Sequence, residues 1–214
     1  KGYSGYLQTD GYAGYSKVGD SPGIMHVGCM AHIRRKFYDA DNIAGGTGAA
    51  ADMLGMIGAF YHEEQRLRAR SEQHAWEEST FVAERKKIQQ PRLANMYEWL
   101  VAQRSRVAPA SALGKAIFYA LGQWRFMTRY LDHALLTPDN NGVENAIRPF
   151  VIGRKNWLFS NTPSGAHVSA GLYSLIETAK ANGHEPYTYL CHIFDRLPKA
   201  KTLEEKRALL PYRL

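Results

Sequence analysis

Three stretches of the chain repeat one spacing of apolar residues, and no other feature restricts its fold as much. Met53, Met56, Ile57, Phe60 and Tyr61 fall at i, i+3, i+4, i+7 and i+8, and Leu93, Met96, Tyr97, Leu100 and Val101 do the same. Leu113, Ala116, Ile117, Ala120, Leu121 and Trp124 repeat the pattern a third time. A period of about 3.6 residues puts each set on one face, so each predicts an amphipathic helix whose stripe must be covered. Three such stripes in succession predict helices packed on one another. Residues 66–90, between the first two, are strongly charged. There Arg66, Arg68 and Arg70, and the Arg85-Lys86-Lys87 run, interleave with glutamates and read as solvated faces of a helix or helix pair.

The two ends of the chain are different. Gly5-Tyr6-Leu7-Gln8-Thr9 reads as a short strand ending at the turn signal Asp10-Gly11, and Ile24 to Cys29 as a second strand after a Gly/Ser/Pro loop. Ala31 to Ala40 reads as a helix with Ile33 and Phe37 on one face, and Gly45 to Gly48 break the chain. Thr137 and Pro138 suit the cap and first position of a helix running through Glu144 to about Arg148, where Pro149 follows. Trp157 to Ser160 reads as a short strand or extended segment. Leu172, Leu175, Ile176 and Ala179 mark a helix closed by Asn182-Gly183, and Leu190, Ile193, Phe194 and Leu197 mark another before a polar tail. The expectation is a mostly helical chain with a few strands and no internal repeat.

At 214 residues the chain has enough length for one or two domains with a core. Its 45% hydrophobic and 22% charged residues exclude a disordered or low-complexity chain. A net charge of +7 and a pI near 9.4 favour a polyanionic partner. No apolar run approaches the roughly 18 residues that span a bilayer, so no membrane partner is expected. Cys29 and Cys191 are the only cysteines, too few for a disulfide framework and suited to a reducing compartment.

Two acids stand in places where chemistry is done. Asp10 ends a strand and is followed by a glycine that permits close approach, and Glu144 lies near a helix start. Two such carboxylates could hold Mg²⁺, which takes one or two protein carboxylates plus substrate phosphates. Alone, Asp10 also reads as a turn residue, and Glu144 as the N-x-x-E member of a capping box. Arg34-Arg35-Lys36, Arg148 and Arg154-Lys155-Asn156-Trp157 join cations to amide and aromatic groups, a mixture suited to phosphate contacts and base stacking. Cys29 and His32 make half a zinc site, and no second pair at zinc-like spacing exists, so Cys29 reads as a structural thiol. There is no Walker loop, no G-x-G-x-x-G and no G-x-S-x-G.

Taken in order, the blocks Leu7 to Tyr15 (LQTDGYAGY), Cys29 to Phe37 (CMAHIRRKF), Asp139 to Pro149 (DNNGVENAIRP), Gly153 to Phe159 (GRKNWLF) and Ser174 to Gly183 (SLIETAKANG) resemble the catalytic domain of the insertion-sequence 66 family of bacterial DDE transposases. The likeness extends from about Gly5 to the Leu209-Leu210-Pro211 tail, dense in these blocks and loose over about residues 45–112. It implies an α/β RNase H-like core, here only its C-terminal part, interrupted by a large all-α insertion. Residues 1–40 would hold core strands four and five and the following helix, and 41–135 the helical insertion. Residues 136–183 would hold the core helix with the third acid, and 184–214 a C-terminal helix and tail.

The resemblance implies three acids binding two Mg²⁺ or Mn²⁺ ions for DNA end cleavage and strand transfer. Asp10 matches the second acid and Glu144 the third, both as metal ligands. The first acid would lie before Lys1, so the full-length parent is expected to be a transposase while this chain alone cannot complete the metal site. Arg35, Arg148, Arg154, Lys155 and Asn156 are candidates to hold DNA, with His32 and Asn141 near the site. Met30 stands where tryptophan is usual and Asn145 where arginine is usual. DNA ends and target, a transposase multimer and accessory element-encoded proteins are the expected partners, in a cytoplasmic, nucleoid-associated setting. The alternative is a catalytically inactive remnant that binds DNA or a transposase subunit. A third possibility, a hydrolytic nuclease on the same core, would use the same residues.

Overall fold

A computed structural model describes residues 3–156 and 159–214. In chain order the elements are β1 (Gly5–Gln8), α1 (Ser16–Gly19), β2 (Ile24–Val27), α2 (Met30–Ala44), α3 (Ala49–Gln73), α4 (Glu78–Arg104) and α5 (Ala112–Met127), then α6 (Asn141–Asn156), α7 (Pro163–Ala181), α8 (Pro186–Arg196) and α9 (Leu203–Arg207). The chain is therefore mostly helical. Two compact units divide it, residues 1–141 and 142–214.

In the first unit the two strands pair in parallel, Gly5 opposite Ile24 and Gln8 opposite Val27. The helical stripes close over them as their spacing requires. Met53, Ile57 and Phe60 of α3, Leu93, Met96 and Leu100 of α4, and Ala116, Ile117, Ala120 and Trp124 of α5 share one core with Val27, Met30, Ile33 and Phe37. Residues 41–131 thus have no core apart from that of the strands and α2. Tyr97 and Val101, which the α4 stripe includes by spacing, lie at its edge and are exposed. At Gly28 an added Cβ would stand 3.0 Å from the Met127 nitrogen, so the close approach of this backbone to the end of α5 is tight for any side chain.

Several sequence expectations need correction. Arg85 is not on a solvated face: its side chain is fully buried, and Arg68 beside it is half-buried. Lys87 and Arg66 are exposed as expected. Thr137 and Pro138 do not start the helix. The Pro138 carbonyl accepts the Met30 N–H at 2.8 Å, which pins this segment to the start of α2, and α6 begins only at Asn141. That helix also does not stop at Pro149 but runs through it to Asn156. Of the extended segment expected at 157–160, Trp157 and Leu158 lie outside the described residues, and Phe159 takes a left-handed backbone (φ 68°) rather than a strand.

In the second unit Ala179, Tyr189 and Ile193 form a small core with Leu175, Leu190 and Leu209. The tail read as merely polar folds back, with the Tyr189 hydroxyl donating to the Leu209 carbonyl at 3.1 Å. Among the described residues no helix is long and apolar enough to cross a membrane.

Candidate functional site

Asp10 lies two residues beyond the end of β1 and is half-buried. Its Oδ1 accepts the Tyr12 N–H at 3.2 Å, so one carboxylate oxygen serves the turn. The close approach that Gly11 allows is made by the protein itself: a Cβ there would stand 2.6 Å from the Tyr119 hydroxyl. Burial foremost raises the pKa of Tyr119, and the nearby Cys29 and Asp10 groups raise it further. Asp10 is therefore held between a turn and the face of α5.

Beside it, at the end of β2, Cys29 is buried and its Sγ lies 3.2 Å from His32 Nδ1. Burial is the largest influence on the thiol and pushes its pKa up, which suits a structural group and not a nucleophile. Gln8 then ties the strand ends to the segment before α6, donating from Nε2 to the Thr137 carbonyl at 2.8 Å and to the Gly28 carbonyl at 3.2 Å. Asp139 holds the start of α6: its Oδ1 accepts the Asn141 N–H at 3.0 Å and its Oδ2 the Tyr61 hydroxyl at 2.8 Å.

Of the expected DNA-binding residues, Arg35 lies on α2 and lines an open cleft of about 500 Å³ with Arg34, Tyr38, Tyr61, Asp139 and Asn141. The structure so brings together Arg35 and Asn141, and adds Arg34 and Tyr61 to them. Arg34 was visible as part of a basic run, whereas Tyr61 carried only the signal of a core stripe. His32 keeps its place beside Cys29.

Glu144 stands in the first turn of α6, and Arg154 and Lys155 in the last. Helical spacing puts Glu144, Arg148 and Lys155 on one face, and Val143, Ile147 and Phe150 on another. The Arg154 guanidinium lies 5.6 Å from the centre of the Phe159 ring, and Asn156 closes the helix. Asp10 and Glu144 belong to different compact units. Both are oxygen donors of the kind Mg²⁺ takes. Among the described residues, however, no group of three His, Cys, Asp or Glu side chains is gathered to hold a metal ion.

This is a basic, mostly helical chain with acids at a strand end and a helix start, and sequence comparison names its class as transposase. A model described as "Transposase IS66 family" matches residues 1–168, and one described as "IS66 C-terminal element" matches residues 174–212. The chain belongs to the IS66 family of transposases. It is 32% identical to the uncharacterized protein y4qI of Sinorhizobium fredii (strain NBRC 101917 / NGR234), over 99% of this chain and 39% of that protein. It is 30% identical to the uncharacterized protein y4jD of the same strain, over 98% of this chain and 41% of that protein. The chain thus spans about two fifths of the length of these curated relatives. No solved structure matches it.

Proposed function

We propose that this chain is the C-terminal part of the catalytic domain of a DNA transposase, with Asp10 and Glu144 as carboxylate ligands of the catalytic metal ions. The observation that carries the reading is the family match over both units, with one acid at a strand end and the other in the first turn of a helix. The core would be RNase H-like, with residues 41–135 inserted into it. Two Mg²⁺ or Mn²⁺ ions, when bound, would activate water for cleavage at the element end and then the freed 3′-hydroxyl for attack on target DNA.

The chain's own residues do the rest. Asp10 offers the metals a carboxylate whose direction is set by the Tyr12 N–H. Arg35 and Arg34, in the cleft beside Asn141, would pair with backbone phosphates, as would Arg148, Arg154, Lys155 and Asn156 on α6. His32 would stay beside Cys29, near the metals without holding them. DNA, further copies of the transposase and accessory element-encoded proteins would be the partners, in the cytoplasm at the nucleoid. Three acids are needed and this chain supplies two, so the test uses a longer protein that contains it.

The experiment is cleavage of duplex DNA carrying the element's end in Mg²⁺, with Asp10→Asn and Glu144→Gln. Both substitutions are expected to abolish cleavage while leaving DNA binding intact, and cleavage that survives either one would overturn the reading. The second reading is a DNA- or subunit-binding remnant without catalysis, favoured by the net charge of +7 and the basic blocks on α2 and α6. It predicts salt-dependent DNA binding that survives both substitutions, with no cleavage by the unsubstituted protein.

A further inference from the structure

The charged stretch between the apolar stripes does more than solubilise the α3–α4 hairpin. Arg85 is completely buried, and its guanidinium donates to the carbonyls of Tyr130 and His133 at 2.9 Å and of Ala134 and Leu136 at 3.2 Å. Glu64, also buried, accepts from Arg85 at 3.2 Å and from Arg68 at 3.0 Å. Arg68 in turn donates to the Leu136 carbonyl at 2.8 Å, and three residues further on the Tyr61 hydroxyl reaches Asp139.

Burying a guanidinium and a carboxylate is costly, so the pair persists only where its partners are well placed. Here the partners are backbone carbonyls at the end of a 3-10 turn (Thr128–Asp132) and in the irregular segment after it, where regular helix and sheet ladders stop. The other side of the same segment is held by the Met30 N–H on Pro138 and by Gln8 on Thr137. Residues 130–139 are therefore gripped from two sides, and they end in the carboxylate that accepts the first N–H of α6.

We propose that Tyr61, Arg68 and Arg85 are positioning residues, which fix the point at which α6 begins and so the start of the helix that carries Glu144. The clamp itself is a matter of geometry, while its value for catalysis rests on the transposase reading above. Tyr61→Phe is the sharpest test, because it removes one hydroxyl and leaves the core ring in place.

In the 214-residue chain, amide exchange at Asn141, whose N–H Asp139 accepts, should rise about tenfold or more in Tyr61→Phe, the scale of one hydrogen bond to a charged group. Exchange at Ile33, Phe37 and Ala120 should not change. A rise shared by all these amides would mean a merely structural role, and no rise anywhere would mean no role; either overturns the proposal. In the cleavage assay the same variant should lower kcat with KM unchanged, and an unchanged kcat would overturn its catalytic part. If Glu144→Gln also leaves cleavage untouched, the transposase reading fails instead, and the exchange comparison still decides the clamp.

Discussion

Residues 1–141 and residues 142–214 reach order by different means. The first unit carries a continuous core from Val27 on β2 to Leu131, while among the described residues the second buries Ala179, Tyr189, Ile193 and Pro211, and α6 buries none. Helix ends run the other way. In the first unit α2, α3 and α4 have no side chain capping their N-termini, and only α5 has one, from Ser111. In the second, Thr162 caps α7, Glu185 caps α8 and a Thr202–Glu205 capping box starts α9. Helices held by tertiary burial can start without local help, whereas helices with little to bury depend on their ends.

The contrast is tested hardest at Arg85. Replacing it with methionine keeps the volume but leaves Glu64 buried with one partner fewer and takes one donor from each of four carbonyls, of which Leu136 keeps Arg68 and His133 keeps the Leu136 N–H. The expected loss is about 3–5 kcal/mol in urea unfolding of the first unit. A loss under about 1 kcal/mol would mean that the buried ion pair contributes little to this core.

Matched truncations come next. Ile117 is fully buried in the first unit, and Ile147 on α6 is 53% exposed. Ile117→Ala should cost about 2–5 kcal/mol, and Ile147→Ala should stay within about 0.5 kcal/mol. Equal losses would show that α6 is covered by something the contrast omits.

The same division decides what could be read from the sequence. The stripes of α3, α4 and α5 were legible because burial on one helix face imposes a period. So were the two short strands, each read one or two residues longer than it runs, and the closing of α7 at Asn182, where turn chemistry leaves local marks. Arg85 was misread for a physical reason: a charged residue among glutamates looks the same whether its partners are water or the carbonyls of residues 130–136. The start of α6 was misplaced likewise, since Thr137-Pro138 is a sound local start signal that the Met30 N–H overrides from far along the chain. At the candidate site Asp10, Glu144 and Arg35 came from residue type, order and family likeness. Tyr61 could not, because its hydroxyl bond to Asp139 exists only once α3 is packed.

A smaller effect separates the units at their caps. Thr202→Ala removes the hydroxyl that accepts the Glu205 N–H at 3.1 Å and should cost the second unit about 1 kcal/mol. Thermal melting followed by amide signals of Ala179 and Ile193 should move, and those of Ile33 and Phe37 should not. Movement of all four would join the two units into one cooperative block.

The last separation is by pH: both units lose stability on acidification, but in different pH windows. In the first, His26 is buried with its Nε2 2.7 Å from the Thr9 hydroxyl, and burial foremost, then Arg129, lowers its pKa from 6.5. On acidification the unfolded chain takes up that proton before the folded one, so stability falls as pH drops through 6.5 and levels off below the folded value. In the second unit Glu185 and Glu205 are held below 4.5 by the backbone N–H groups they cap. Their contribution is intact above 4.5 and is lost only as pH falls through the lowered values. Protection of Ile33 should therefore begin to weaken at a higher pH than that of Ala179. His26→Gln should remove this upper step and leave the lower one, and a single shared step below 4.5 would show that His26 does not set the acid response of the first unit.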